Sequence, residues 1–158
     1  MRKKIVGVMG PGKKATKEDL VNAEKLGKLI AENDWVLLTG GKNIGVMEAV
    51  NKGAKSNKGM TVGISSSKNN DGLSKYVDIP IITGMGSARN NINVLSSDVI
   101  IACGLGPGTL SEIALGIKAG RKIILLNDNQ KSKDFLKEVG GDNILIANTP
   151  EEVINLVK

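Results

Sequence analysis

Histidine is absent from the 158 residues of this chain. Its absence excludes Ser-His-Asp and Cys-His nucleophile systems, imidazole proton shuttles and the usual zinc sites with histidine ligands. Any catalysis must therefore use carboxylates, arginine, lysine, hydroxyl groups or backbone amides. We expect no metal site made of protein side chains.

Cysteine and aromatic residues are scarce as well. The single cysteine, Cys103, cannot form a disulfide within the chain and fits a reducing compartment. Trp35, Tyr76 and Phe135 make up the whole 2% aromatic content, so the chain lacks the stacking platforms of base-binding modules. No segment has the apolar length of a signal peptide or a membrane span. We therefore expect a cytoplasmic protein that binds neither nucleic acid nor membrane.

The charge is positive but dispersed. The net charge of +6 comes from 22 Lys and Arg against 16 Asp and Glu, and the lysines are spread along the chain. This distribution is typical of solvated helix faces, with a few cations left to attract a small anionic ligand.

Short β-rich runs alternate with helical patterns along the chain, and this alternation is typical of repeated βαβ units. We predict a single α/β domain over residues 1–158, with a doubly wound, mostly parallel, Rossmann-like sheet. Thr16 and Asp19 form an imperfect capping box at the start of the first helix. The strands are predicted at residues 4–9, 35–39, 61–65, 77–83, 99–102, 122–126 and 144–147. The helices are predicted from residue 16, at 44–55, 88–96, 109–119 and 131–139, and from residue 150.

Three glycine-rich segments each follow a predicted strand and precede a helix. We call them segment 1 (residues 7–12), segment 2 (residues 40–45) and segment 3 (residues 104–109). Glycine lets a ligand approach the backbone amides closely, and the helix that follows offers unpaired N–H groups to an anion. None is a P-loop, and segment 1 lacks the third glycine of the dinucleotide fingerprint. Together they predict a phosphate-binding site at the carboxyl ends of the strands.

Several side chains stand beside these segments. Glu112 falls in the first turn of the helix after segment 3, where an acid can complement the helix dipole or act on a ligand. Arg89 opens another helix and is either a surface ion-pair partner or a fork for phosphate or carboxylate. Cys103 ends a strand and is interpreted as a small buried hydrophobe, with contact to the ligand as the alternative. Met47 is predicted to lie in the core, and the polar residues 66–75 are a candidate flap over the site.

Three stretches resemble the LOG-like (LONELY GUY) Rossmannoid superfamily. Residues 40–49 resemble its Gly-Gly…Gly-Met…Ala element, and residues 108–112 resemble the latter half of its Pro-Gly-Gly-x-Gly-Thr-x-x-Glu motif. Residues 84–90, followed by Ser97 and Asp98, are similar to the arginine-containing helix that precedes this motif. The elements occur in the family's order and cover nearly the whole chain.

The superfamily includes cytokinin-activating phosphoribohydrolases, proteins long mislabelled as lysine decarboxylases, and molybdenum-cofactor carrier proteins. In the hydrolases the motif arginine and glutamate form the catalytic pair, and by motif position these are Arg89 and Glu112. The resemblance then implies hydrolysis of an N6-modified AMP to a free base and ribose 5-phosphate, without a cofactor. It also implies a homo-oligomer, a dimer or a tetramer.

The sequence departs from the hydrolase pattern in segment 3. Leu105 and Pro107 occupy positions of the Pro-Gly-Gly-x run, and Ser111 stands where the hydrolases usually carry the first of two acids. The Gly-Ser-Ala-Arg-Asn-Asn stretch around Arg89 is closer to the carrier branch. These departures favour a binding protein over a hydrolase.

We therefore interpret the chain as a carrier-like protein that holds a phosphorylated pterin or nucleotide, with the molybdenum cofactor as one such ligand. A phosphoribohydrolase acting through Arg89 and Glu112 is the first alternative, and a nucleotide-sensing regulatory domain is the second. The predicted ligand-binding residues are Gly10, Gly12, Gly40, Gly41, Gly45, Ser87, Arg89, Gly104, Gly106, Gly108, Thr109 and Glu112.

Overall fold

A computed structural model of the chain describes residues 1–126 and 129–158. Within these residues seven strands form one sheet in which every neighbouring pair is parallel. The strands are β1 Ile5–Met9, β2 Val36–Thr39, β3 Met60–Ser65, β4 Ile79–Ile82, β5 Val99–Cys103, β6 Lys122–Leu126 and β7 Ile144–Ala147. Their order across the sheet is β4-β3-β2-β1-β5-β6-β7. The predicted parallel, Rossmann-like α/β fold is confirmed.

Helices cover both faces of this sheet. They are α1 Lys17–Glu32, α2 Gly45–Ser56, α3 Arg89–Ser96, α4 Pro107–Lys118, α5 Gln130–Gly140 and α6 Pro150–Val157, with short 3₁₀ turns at Gly86–Ala88 and Gly141–Asn143. Buried side chains of α1, α2 and α6 pack on one face, and those of α3, α4 and α5 pack on the other. Among the residues described, no helix has the length and apolarity needed to cross a membrane.

The central strands carry the apolar side chains of the core. Strand β5 is buried at every position, as expected for a parallel strand covered on both faces. The side chains are Val, Ile, Leu, Ala and Met, which accords with the scarcity of aromatics. Because successive residues of a strand point to opposite faces, the apolar run of β5 supplies both cores.

The capping box at the start of α1 is complete. The Thr16 hydroxyl accepts a hydrogen bond from the Asp19 N–H at 3.0 Å, and the Asp19 carboxylate accepts one from the Thr16 N–H at 2.9 Å. Aspartate thus performs the role more often taken by glutamate. Such a cap contributes about 1 kcal/mol, and it fixes where segment 1 passes into the helix.

Helices α1 and α2 touch along their backbones. A Cβ atom at Gly27 would lie 2.1 Å from the Val50 carbonyl oxygen, and one at Gly53 would lie 1.9 Å from the Glu24 carbonyl oxygen. Neither overlap is tolerable, so glycine is required at both positions for this approach. The two helices therefore form one tightly packed block on their face of the sheet.

Several element boundaries differ from the prediction by one or two residues, and two of these differences have identifiable reasons. Helix α4 begins at Pro107 rather than at residue 109, because proline suits the first helical position, where its missing N–H would have no partner. Residues 86–88 form a 3₁₀ turn ahead of α3. Strand β4 begins at Ile79 instead of residue 77, because the Asp78 carboxylate already accepts the Thr61 N–H at 3.0 Å.

Candidate functional site

A cleft of about 660 Å³ opens at the carboxyl ends of the strands. It lies where β1 adjoins β2 on one side and β5 on the other, and where the following helices diverge to opposite faces of the sheet. Such a switch point is the common ligand site of open parallel sheets, and this volume suits a small organic ligand.

The three glycine segments converge on this cleft as predicted from their order in the chain. Most of the predicted binding residues line it: Gly10, Gly12, Gly40, Ser87, Arg89, Gly106, Gly108, Thr109 and Glu112. These residues therefore lie together in space, and their contact with a ligand stays a prediction.

Three of the predicted binding residues, Gly41, Gly45 and Gly104, do not line the cleft. Gly45 has a φ of +59°, and a Cβ atom there would lie 2.4 Å from the carbonyl oxygens of Pro11 and Gly12. Segment 2 therefore packs directly against segment 1. Gly104 lines a second cavity of about 500 Å³, which shares Lys14 and Leu105 with the first.

The amino end of α4 faces the cleft. Pro107 occupies the first helical position, so its lack of an N–H removes no donor that the helix needs. The side chain of Thr109 is 2% exposed, and its hydroxyl has no hydrogen-bond partner among the described residues. A buried hydroxyl without a partner costs free energy, so it indicates a place for a polar ligand atom.

Arg89 and Glu112 form the floor of the cleft. Arg89 Nη1 lies 3.9 Å from Glu112 Oε1, and both side chains are buried. The guanidinium also donates to Asn90 Oδ1 and, at 3.5 Å from Nη2, to the Gly40 carbonyl. Its Nε atom is buried without a partner in the described part of the chain.

Polar side chains join α3 to α4 beside this pair. Asn93 Nδ2 donates to Glu112 Oε1 at 2.9 Å, and Asn90 Nδ2 donates to Ser111 Oγ at 3.0 Å. Ser111 Oγ in turn donates to the Gly108 carbonyl at 2.6 Å. The serine that replaces an acid of the hydrolase pattern thus serves as a bridge between helices.

Burial shifts the ionisation of both floor residues. Desolvation raises the pKa of Glu112, while the Asn93 hydrogen bond and the Arg89 charge partly oppose this rise. Desolvation lowers the pKa of Arg89, and the Glu112 carboxylate opposes this fall. Perturbed groups of opposite charge at the bottom of a cleft are typical of functional sites.

The rim of the cleft carries lysines that the sequence analysis did not single out. Lys13, Lys14 and Lys42 line the cleft, are exposed and form no ion pair in the described part of the chain. Their positions directly after segment 1 and within segment 2 were the signal that would have found them. With Arg89 they give the site an excess of positive charge.

Of two predictions about single residues, the one for Met47 is wrong and the one for Cys103 agrees with the structure. Met47, predicted to lie in the core, is half-buried and lines the cleft, because it lies in the first turn of α2 beside Gly40. Cys103 is fully buried and does not line the cleft. Burial raises the pKa of its thiol to about 12, and the Sγ atom lies 3.5 Å from the Asp19 carbonyl oxygen.

The polar stretch proposed as a flap is tied down by backbone hydrogen bonds. The Asn43 N–H donates to the Gly72 carbonyl at 2.8 Å, and the Gly86 N–H donates to the Ser66 carbonyl at 3.1 Å. Of residues 66–75, Ser66 lines the cleft. The described residues contain no cluster of acidic or thiol side chains able to hold a metal ion.

Comparison with known proteins agrees with this geometry. The chain superposes on the molybdenum cofactor binding protein of Rippkaea orientalis with a TM-score of 0.98 and 56% identity, over 99% of this chain and 96% of that one. The Moco carrier protein of Chlamydomonas reinhardtii gives a TM-score of 0.93 and 44% identity over the same shares of the chains. An uncharacterized protein of Archaeoglobus fulgidus is 41% identical over 150 residues, which is 95% of this chain and 91% of that protein.

The family assignment follows from a match that extends over most of the sequence. The sequence model of the SLOG cluster4 family covers residues 3–154, including all three glycine segments and both floor residues. The predicted membership of the LOG-like superfamily is confirmed. The chain belongs to the SLOG cluster4 family.

Proposed function

We propose that this protein is a carrier that binds the molybdenum cofactor as cargo and holds it in the cleft. The observation that carries this proposal is the polar lining of the cleft, where the Thr109 hydroxyl and Arg89 Nε are buried without partners among the described residues, in a cleft that three exposed lysines also line. A phosphorylated pterin offers an anion for the rim and ring heteroatoms for the floor. The carrier proteins that this chain resembles support the choice of cargo.

The phosphate belongs at the end of the cleft formed by segments 1 and 3. Gly10, Gly12, Gly108 and Thr109 line the same cleft as the lysines of the rim. A helix amino terminus and backbone N–H groups favour an anion at this position. Ser87 also lines the cleft and adds a hydroxyl to it. A metal-bearing cargo needs no protein metal ligands, because the pterin dithiolene holds its own metal.

The test is direct loading of the cofactor. Purified protein is mixed with molybdenum cofactor freshly released from a molybdoenzyme, passed through a desalting column, and assayed for molybdenum and for the oxidised fluorescent pterin. We expect about one equivalent of each per chain and transfer to a cofactor-free molybdoenzyme. Elution of the protein without either component contradicts the proposal.

The Arg89–Glu112 pair supports one alternative, a phosphoribohydrolase. In that reaction water adds to C1′ of the ribose, the bond from C1′ to the base nitrogen breaks, and the base leaves with a proton. Glu112 would take a proton from the attacking water, this proton would pass to the base nitrogen as the C1′–N bond breaks, and Arg89 would stabilise the leaving base. Incubation with N6-modified AMPs and chromatography of free base and ribose 5-phosphate decide the matter: turnover that Glu112→Gln abolishes favours the enzyme.

We also propose that the protein assembles as a homo-oligomer through the β4 edge. Ile79 and Ile81 are 46% and 44% exposed and pair in register with Val62 and Ile64, whose side chains pack in the core beneath α3 and α4. Adjacent exposed apolar side chains of this kind mark an interface. Sedimentation of the wild type and of Ile81→Lys tests this, with a smaller species expected for the variant.

A carrier of this cargo acts in the cytoplasm, where a buried free cysteine is in keeping with reducing conditions. We propose a small phosphorylated ligand as its partner and no nucleic acid.

A further inference from the structure

The two ends of the cleft differ in chemistry. The rim carries Lys13, Lys14 and Lys42, while Glu112 lines the floor as an acid held within the fold. A site that bound only phosphate would gain nothing from a carboxylate, because it repels an anion. Beyond Asn93 and Arg89, which already contact it, the acid at the floor is therefore suited to a ligand group that donates hydrogen bonds.

Glu112 is held in one orientation with part of its carboxylate unused. Oε1 accepts from Asn93 Nδ2 at 2.9 Å and lies 3.9 Å from Arg89 Nη1. Oε2 accepts no hydrogen bond from the residues that the structure describes, and the residue, which is 6% exposed, lines the cleft. A carboxylate offers about four acceptor sites, so several remain available to a ligand.

Asn93 and Arg89 explain why this carboxylate does not turn away. Asn93 is fully buried on α3 and approaches Glu112 from the neighbouring helix. Arg89, also on α3, is fixed by Asn90 and by the Gly40 carbonyl. The acid and the guanidinium thus present an acceptor and a donor side by side on one floor.

This pair matches the edge of a 2-amino-4-oxopyrimidine ring, which is shared by pterin and guanine. Its ring N–H and 2-amino group are adjacent donors that suit a carboxylate, and its neighbouring oxygen is an acceptor that suits a guanidinium. Adenine has a ring acceptor where guanine has the N–H, so its lone pair would face the carboxylate. The carboxylate therefore attracts the edge of guanine or pterin and repels the edge of adenine.

We propose that Glu112 is the specificity-determining residue of the cleft and accepts both N–H groups of a 2-amino-4-oxopyrimidine ring, so that pterin and guanine are preferred over adenine. This inference rests on the proposed binding function and names the ring that the site selects. Arg89 donates to the ring oxygen, and Asn93 is a positioning residue that orients the carboxylate.

The experiment compares GMP and AMP, which share the ribose phosphate and differ at the recognised edge. Their dissociation constants are measured by titration calorimetry on the wild type, on Glu112→Gln and on Glu138→Gln. Glu138 is an exposed acid on α5 that does not line the cleft, so its variant removes one charge elsewhere. Circular dichroism and thermal unfolding establish that each variant is folded.

We expect the wild type and Glu138→Gln to bind GMP at least about 10-fold more tightly than AMP, as expected for a hydrogen bond to a charged group. Glu112→Gln should lose most of this preference by weakening GMP, while AMP changes little or improves. Equal binding of the two nucleotides by the wild type, absence of GMP binding, or a preference that survives in Glu112→Gln overturns the inference.

These outcomes are separate from those of the carrier proposal. If the protein retains the molybdenum cofactor but shows no preference for guanine, the proposed role of Glu112 is wrong and the carrier proposal stands. If the protein fails to retain the molybdenum cofactor but shows a guanine preference that depends on Glu112, the carrier proposal is wrong and the ring selectivity stands.

Discussion

Asn93 Nδ2 donates a hydrogen bond of 2.9 Å to Glu112 Oε1 and so joins the helix that carries Arg89 to the helix that follows segment 3. The bond favours the ionised carboxylate and partly opposes the rise in pKa that burial causes. The orientation and the ionisation of the floor acid therefore depend on one buried amide.

Removing this amide should shift the pH dependence of ligand binding. Protonation of Glu112 removes its acceptor capacity, so GMP affinity should fall as pH falls through the raised pKa of this group. Asn93→Ala removes a hydrogen bond that lowers the pKa of Glu112, so this pKa should rise further. The midpoint of the fall in GMP affinity should then move to higher pH. Calorimetric titration with GMP between pH 4.5 and 8, at steps of about 0.5, measures both midpoints. An unchanged midpoint would show that Asn93 does not influence the acid.

The contribution of Glu112 to the stability of the ligand-free protein should change with pH in the direction opposite to that of GMP affinity. Because the pKa of Glu112 is raised on folding, the native state holds this proton over a pH range in which the unfolded chain has released it. The contribution of Glu112 to the free energy of unfolding should therefore decrease as pH rises from about 4.3 to the raised value. The free energy of unfolding of the wild type and of Glu112→Gln is measured by urea denaturation at each pH. Across this range the variant should become increasingly stable relative to the wild type. A constant difference contradicts the raised pKa.

The lysine rim should supply affinity for phosphate that depends on ionic strength. We expect Lys13→Ala/Lys14→Ala to weaken GMP binding about 10-fold or more at low salt, because two cations near the phosphate are lost. Lys118→Ala/Lys131→Ala removes the same charge from exposed positions that do not line the cleft. Binding that falls equally in both double variants would assign the effect to net charge instead of to the rim.

Gly45→Ala should destabilise the fold through the contact between segments 1 and 2. The residue needs a left-handed backbone at φ +59°, and its Cβ would overlap carbonyl oxygens of segment 1 at 2.4 Å. We expect a loss of at least about 2 kcal/mol in the free energy of unfolding. Gly108→Ala is the matched control, because nothing lies within 4 Å of a Cβ there and alanine suits a helix. A similar loss in both variants would argue against the packing explanation.

Cys103 should resist thiol reagents in the folded protein. The side chain is fully buried and burial raises the pKa of the thiol to about 12, so little thiolate is present at pH 8. Reaction with a disulfide reagent should follow the rate at which the fold opens, and it should be fast in urea. Rapid labelling of the native protein would place the thiol at an accessible surface.

Repeating patterns in the sequence were sufficient to predict the sheet. Strand β6 and strand β7 begin and end where the apolar runs predict, because both lie between strong turn signals. The capping pair of Thr16 and Asp19 likewise predicted the start of α1 from residues close together in the chain. These features depend on neighbours in the chain and need no tertiary knowledge.

Features that arise between distant elements were not predictable in this way. The hydrogen bonds of Asn93 and of Asn90 to α4 join residues 19 and 21 positions apart, and neither asparagine follows a glycine segment. Met47 has the spacing of a core residue, yet the cleft rather than the sheet lies beside it. The lysines of the rim were visible as residues, but their convergence depends on strands that meet only in the fold.

The backbone contact between α1 and α2 has a mechanical consequence. Segment 1 leads into α1 and segment 2 leads into α2, so two sides of the cleft are attached to a single rigid block joined at Gly27 and Gly53. Moving one of these sides alone would separate backbones in direct contact. The opposite side is carried by α3 and α4, which side-chain hydrogen bonds join near the floor. Entry and release of cargo should therefore proceed by displacement of the α3–α4 side, while the other side stays fixed as the reference surface against which the cargo is seated.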